Sequence, residues 1–126
     1  FGRKNLHAPD SGLLAGVEYL NWLLQRFEPE LPIGERTWFA LAAYNAGIGH
    51  VRDARRLARQ KGWDGDKWFD NVEKAMLLLA KKKYSKKAKH GYVRGHEPVN
   101  YVRQIRDRYL AYVDLQEGST LAQLQP

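Results

Sequence analysis

The sequence predicts an all-α domain, and three observations carry that prediction. Apolar residues recur at helical spacing along most of the chain, no stretch alternates apolar and polar residues long enough for a sheet, and Pro and Gly fall between the periodic stretches. The chain has 126 residues, 44% apolar and 28% charged, which is enough to bury one core and too apolar for a disordered chain. No internal repeat divides it.

Leu13, Val17, Leu20, Leu24 and Phe27 form one helical stripe, widened by Leu14 and Leu23, with Asp10 or Ser11 as the natural N-cap. Pro29 and Pro32 end this helix, and Gly34 completes the loop. Arg36 to Asn45 reads as a second, strongly buried helix through Trp38, Phe39, Leu41, Ala42 and Tyr44, broken by Gly47 and Gly49. A third runs from His50 to Lys61, burying Val51, Ala54, Leu57 and Ala58, turning Arg52, Arg55, Arg56 and Arg59 to solvent, and stopping at Gly62. Trp63 to Asp66 is a turn, and Trp68 to Ala80 holds one or two short helices. Six lysines between Lys81 and Lys89, then Gly91 and Gly95, predict an irregular loop from Lys81 to His96, long enough to suggest a function. The last helix starts at Glu97 and Pro98 and carries Val99, Val102, Ile105, Tyr109, Tyr112 and Val113; a polar tail over 117 to 126 is expected to fray.

Composition narrows the function classes. Aromatic residues make up 12%, more than core filling needs, which suits a ring-lined groove for sugars or nucleic acid. The absence of Cys excludes disulfides and thiolate metal sites. His7, His50, His90 and His96 have no metal-ligand spacing and read as surface or loop residues, so no cofactor or metal is implied. A net charge of +7 favours partners bearing negative charge: nucleic acid, acidic lipid or the carboxylate-bearing peptides of the cell wall. The chain starts at Phe1 and holds no apolar run near the ~20 residues of a membrane span, so it reads as a processed or excised piece without a transmembrane segment.

Ala40-Leu41-Ala42-Ala43-Tyr44-Asn45-Ala46-Gly47 closely resembles the AYNAG segment of the lysozyme-like soluble lytic transglycosylase domain. An Ala-rich helix there delivers a Tyr and an Asn to its end, and glycines let backbone come close to a sugar. Ahead of it, Gly16, Tyr19, Leu20, Leu23, Leu24, Arg26 and Phe27 are similar to the family's GxxYLxxLLxRF helix, which any Leu-rich amphipathic helix could also mimic. Behind it, Gly91-Tyr92-Val93-Arg94-Gly95-His96-Glu97 with Tyr101, Val102 and Ile105 is similar to the GYxRGxExxxYVxxI pattern of the membrane-bound lytic murein transglycosylase F branch. The resemblance makes residues 1 to 116 the C-terminal portion of a lysozyme-like helical domain.

It implies cleavage of the β-1,4 bond between N-acetylmuramic acid and N-acetylglucosamine in peptidoglycan glycan strands, leaving 1,6-anhydro-muramoyl ends. A single Glu serves as acid and then base, and the sugar's own C6 hydroxyl is the nucleophile, unlike the two-carboxylate scheme. It also implies a periplasmic, outer-membrane-associated location. Tyr44, Asn45, Ala46 and Gly47 match the sugar-lining segment. Tyr101 matches a Tyr whose hydroxyl points toward the catalytic Glu, although its spacing equally fits a packing stripe. Tyr92 and Arg94 either border the cleft or anchor the loop, and Glu97 reads as a capping or network residue at a helix start. The family's Glu-Ser and Gly-Leu-Met-Gln motifs do not occur in this sequence, so the catalytic acid is expected upstream, the chain is expected to be inactive alone, and apolar surface left bare is expected to favour self-association. Two other readings are open: a non-catalytic glycan-binding or structural piece, and a basic helical nucleic-acid-binding module using the Arg and Lys clusters, for which no recognition signature or specific nucleic-acid contact is present.

Overall fold

The computed structural model describes residues 9–124, with side chains described for residues 12–118. Six helices and no strand occur among the described residues: α1 (Pro9–Leu24), α2 (Ile33–Ala46), α3 (Ile48–Gln60), α4 (Glu73–Leu78), α5 (Lys82–Ser85) and α6 (His96–Leu124). The all-α expectation holds. The capping roles of Asp10 and Ser11 concern side chains outside the described residues, as does His7.

Helix α2 is the centre, packed by α1, α3 and α6. Phe39, Ala40, Leu41, Ala42 and Ala43 are all buried, and the small alanines let three helices approach one axis. Phe39 anchors the core, its ring 5.6 Å from that of Phe27 and 6.3 Å, edge-on, from that of Trp68. Only the second half of α1 joins this core, through Leu23 and then Phe27; Leu13, Leu14 and Val17 of the predicted stripe are exposed. The stripe read from the sequence is therefore real but only half covered among the described residues.

Helix α3 corrects the sequence reading at one position. Arg52, Arg56 and Arg59 are exposed as expected, but Arg55 is buried. Its guanidinium donates two hydrogen bonds to Glu28 at 3.0 and 2.8 Å, one to Asp66 at 2.9 Å and one to the Gly65 carbonyl at 2.8 Å, and it covers the Phe39 ring at 4.9 Å. Two carboxylates and a carbonyl supply what a buried guanidinium needs. Sequence periodicity places four arginines on one face; it does not register that the loops at Glu28 and Asp66 fold over one of them.

Of the Trp68 to Ala80 stretch, expected to hold one or two short helices, α4 is regular, while Trp68 to Val72 is a kinked turn in which Phe69 is extended and Asp70 lies at φ +62°. The turn is held instead by side chains, since Glu35 accepts the Trp68 amide at 2.9 Å and Asn71 accepts that of Asp64 at 3.0 Å. Helix α4 then carries buried Glu73, which takes two hydrogen bonds from Arg103 of α6 at 2.7 and 2.9 Å. The Lys81 to His96 stretch is irregular apart from the single turn of α5. It is pinned at His90, whose amide donates to Asp53 of α3 at 2.7 Å.

Helix α6 enters beside α4 at Gly95, where an added Cβ would fall on the Met76 carbonyl. Pro98, Val99 and Val102 are buried, while Tyr109 and Tyr112 of the predicted stripe are more than half exposed. The helix continues to Leu124 where fraying was expected beyond Gln116. No described helix is long and apolar enough to cross a membrane.

Candidate functional site

The Tyr44 to Gly47 segment is the last turn of α2, and Gly47 makes it possible. At φ +101° and ψ 142° this residue ends α2 and starts α3, so one glycine reverses the chain where any side chain would be strained. Its amide donates to the Ala43 carbonyl at 2.8 Å. Gly49 is needed for clearance instead, because a Cβ there would lie 2.7 Å from the His90 ring. Both glycines thus have an internal reason to be glycine, whatever else they approach.

The turn projects Tyr44 and Asn45 outward, both exposed at the end of an otherwise buried helix. Tyr44 stands in a row of four rings drawn from three helices. Trp22 and Tyr19 of α1 lie 6.1 Å apart and nearly parallel, Tyr19 is 5.6 Å from Tyr44, and Tyr44 is 6.5 Å from Tyr101 of α6 with 9° between their planes. Gly16 provides the clearance, because a Cβ there would sit 3.2 Å from the Tyr44 hydroxyl. Sequence reasoning takes α1 as scaffold and misses Tyr19 and Trp22. The available signal is the spacing of Gly16, Tyr19 and Trp22, about one helix turn apart and hence on one face.

Tyr101 is half-buried, and burial pushes its hydroxyl above the ordinary phenol value, with Tyr44 adding to the effect. Neither the Tyr44 nor the Tyr101 hydroxyl bonds another described residue, so both are open to a polar ligand. Clustered rings with unspent Tyr44 and Tyr101 hydroxyls and an exposed Asn45 can meet a sugar, which offers apolar C–H faces to rings and hydroxyls to polar tips.

Tyr92, Arg94 and Glu97 form a separate group at the start of α6. Tyr92 is exposed, and Arg94 pairs with Glu97 at 3.6 Å, both in solvent. Glu97 lies one helical turn before Tyr101 and in the first turn of α6, where a carboxylate is favoured by the helix dipole. His50, expected at the surface, is half-buried with Nδ1 lacking any partner and its ring edge-on to His90 at 6.4 Å. Burial holds its pKa below the ordinary value, opposed by Asp53 and assisted by His90.

The profile of the Transglycosylase SLT domain family matches residues 2–66, about half of the chain. The chain belongs to the transglycosylase SLT domain family. The SLT domain is lysozyme-like, in keeping with the helical architecture. The match covers α1 to α3 and the Tyr44 to Gly47 turn but ends before Tyr101. Relatives matching most of the chain extend beyond that, each named membrane-bound lytic murein transglycosylase F. That of Shewanella halifaxensis is 43% identical over 124 residues, 98% of this chain and 26% of its own length. That of Hahella chejuensis is 46% identical over 106 residues, 84% of this chain and 21% of its own. That of Pasteurella multocida is 49% identical over 102 residues, 81% of this chain and 20% of its own. The chain therefore spans about a quarter of the length of the curated relatives it matches, and this SLT sequence aligns with one part of them.

Proposed function

We propose that this chain forms the sugar-lining part of a lytic murein transglycosylase, which cleaves the β-1,4 bond between N-acetylmuramic acid and N-acetylglucosamine and leaves a 1,6-anhydro-muramoyl end. The observation that carries the reading is the ring row from Trp22 to Tyr101, with Tyr44 and Tyr101 hydroxyls unspent beside exposed Asn45. The exposed parts of these rings meet the apolar faces of the glycan, and the Tyr44 and Tyr101 hydroxyls and the Asn45 amide fix its orientation.

The general acid of this reading is a Glu outside the chain. The pair Glu-Ser is absent from the sequence, and four of the described glutamates are engaged by other groups. Glu28 is gripped by Arg55, Glu73 by Arg103, Glu35 by the Trp68 amide, and Glu97 is an exposed partner of Arg94. Tyr101 is perturbed by burial and by Tyr44, with no carboxylate among the causes. An acid acting in this reaction needs an apolar wall to raise its pKa. The half-buried ring of Tyr101 provides such a wall to a carboxyl brought against it. A periplasmic setting, with outer-membrane association carried elsewhere in the parent protein, goes with this reading.

Digestion of purified peptidoglycan tests it, with mass spectrometry detecting 1,6-anhydro-muropeptides. The parent protein is expected to yield them and this chain alone is not. Anhydro products from this chain would place the acid within it, with Glu97→Gln and Glu18→Gln as the variants that identify it.

A further inference from the structure

A second cleft, away from the ring row, lies between α3 and the Lys-rich segment around α5, with a volume of about 260 Å³. Leu57 of α3 and Leu79 after α4 contribute apolar lining, and Arg56, Lys61, Lys83 and Lys87 contribute cations. Tyr84 also lines it: the Lys61 ammonium donates to the Tyr84 hydroxyl at 3.0 Å and lies 4.9 Å from its ring centroid, and the Lys83 ammonium lies 5.5 Å from that centroid. The one carboxylate in the lining, Asp53, is spent on Arg56 at 3.1 Å and on the His90 amide at 2.7 Å. No acidic side chain among the described residues pairs with Lys61, Lys83 or Lys87. Like charges brought together over an apolar floor repel one another until an anion enters.

We infer that this cleft binds a carboxylate-bearing segment of an acidic peptide, its carboxylates on Lys61, Lys83 and Lys87 and its aliphatic part against Leu57, Tyr84 and Ala88. The lining combines apolar and cationic side chains from α3 and from the Lys-rich segment, which matches a peptide carrying both carboxylates and aliphatic surface rather than a headgroup alone. Its size suits one or two residues. The identity of the peptide rests on the function proposed above: stem peptides attached to the glycan carry several free carboxylates, so the cleft would hold the stem while the rings hold the sugars. Simultaneous engagement at two weak sites raises retention on the polymer without a new contact at either.

The test is a titration of the isotope-labelled 126-residue chain, followed by amide chemical shifts, with the free tripeptide Ala-γ-Glu-diaminopimelate. Saturable shifts at Gln60, Lys61, Tyr84 and Lys87 are expected, about tenfold weaker for the carboxylate-amidated peptide and for the variant Lys83→Gln/Lys87→Gln. Both lysines are exposed, and unchanged shifts elsewhere in the variant show that it is folded. The inference is overturned if the peptide gives no saturable shift, if its amidated form binds equally well, or if only phosphatidylglycerol vesicles perturb these amides. A chito-oligosaccharide titration read at Tyr44, Asn45 and Tyr101 reports on the sugar site separately. Sugar shifts without peptide shifts sink this inference and leave the sugar site standing; peptide shifts without sugar shifts do the reverse.

Discussion

The rings of Tyr44 and Tyr101 lie within 9° of parallel, 6.5 Å apart, although 57 positions separate them in the chain and they sit on different helices. The pairing depends on α2 ending at Gly47 and on α6 packing against α2, with Val102, the neighbour of Tyr101, buried. Their hydroxyls are open, so function and stability should separate there. Tyr101→Phe and Tyr44→Phe are expected to leave the urea midpoint almost unchanged and to lower turnover of the parent protein by about 10 to 100-fold, the effect of removing one oriented donor. Full activity in both variants would show that the hydroxyls serve packing only.

Arg55→Met should destabilise the fold by about 2 to 3 kcal/mol, because it strips Glu28, Asp66 and the Gly65 carbonyl of their common donor. The figure sits below the range for a fully buried pair because the Glu28 side chain is 53% exposed and water replaces part of what is lost. Arg55→Lys should recover little, since one ammonium cannot satisfy a bidentate site. Urea denaturation of the three proteins checks the order.

Gly95→Ala should cost at least about 2 kcal/mol, since the new methyl falls on the Met76 backbone and α6 must move away from α4. Gly34→Ala is the control: nothing lies near its Cβ position, and within the first turn of α2 alanine should be neutral or stabilising by up to about 1 kcal/mol. Equal effects of the two substitutions would contradict the close approach.

His50 should make stability fall on mild acidification. Its folded pKa lies below the ordinary 6.5 because burial disfavours the imidazolium. As pH drops through 6.5 the unfolded chain takes up this proton before the folded chain does, so unfolding is favoured progressively until the folded group also titrates. Above that window His50 contributes no pH dependence. Asp53 and His90, which act on it from α3 and from the loop, shape the same window. Glu28, lowered chiefly by its hydrogen bond from Arg55, gives a distinct loss only below 4.5. Comparing denaturation midpoints between about pH 7.5 and 5 for the chain and for His50→Gln isolates the first effect, and identical slopes would disprove it.

The sequence by itself determined the longer helices and their order, because these are encoded by local periodicity and by breakers at Pro29, Pro32, Gly47 and Gly62, whereas the short α5 lay inside a predicted loop. It also marked Tyr44, Asn45 and Tyr101 through segments whose resemblance to a family is local in sequence. Only the tertiary structure decided which members of each stripe are covered, and Leu13, Tyr109 and the inward Arg55 all departed from helical spacing for one reason. Spacing states which residues share a face, while burial depends on what else the chain brings to that face. The same reason joins Trp22, Tyr19, Tyr44 and Tyr101 into one row and gathers Arg56, Lys61, Lys83 and Lys87 around one cleft. Both constellations are assembled from different elements, and nothing in the spacing along a single element encodes where another one will lie.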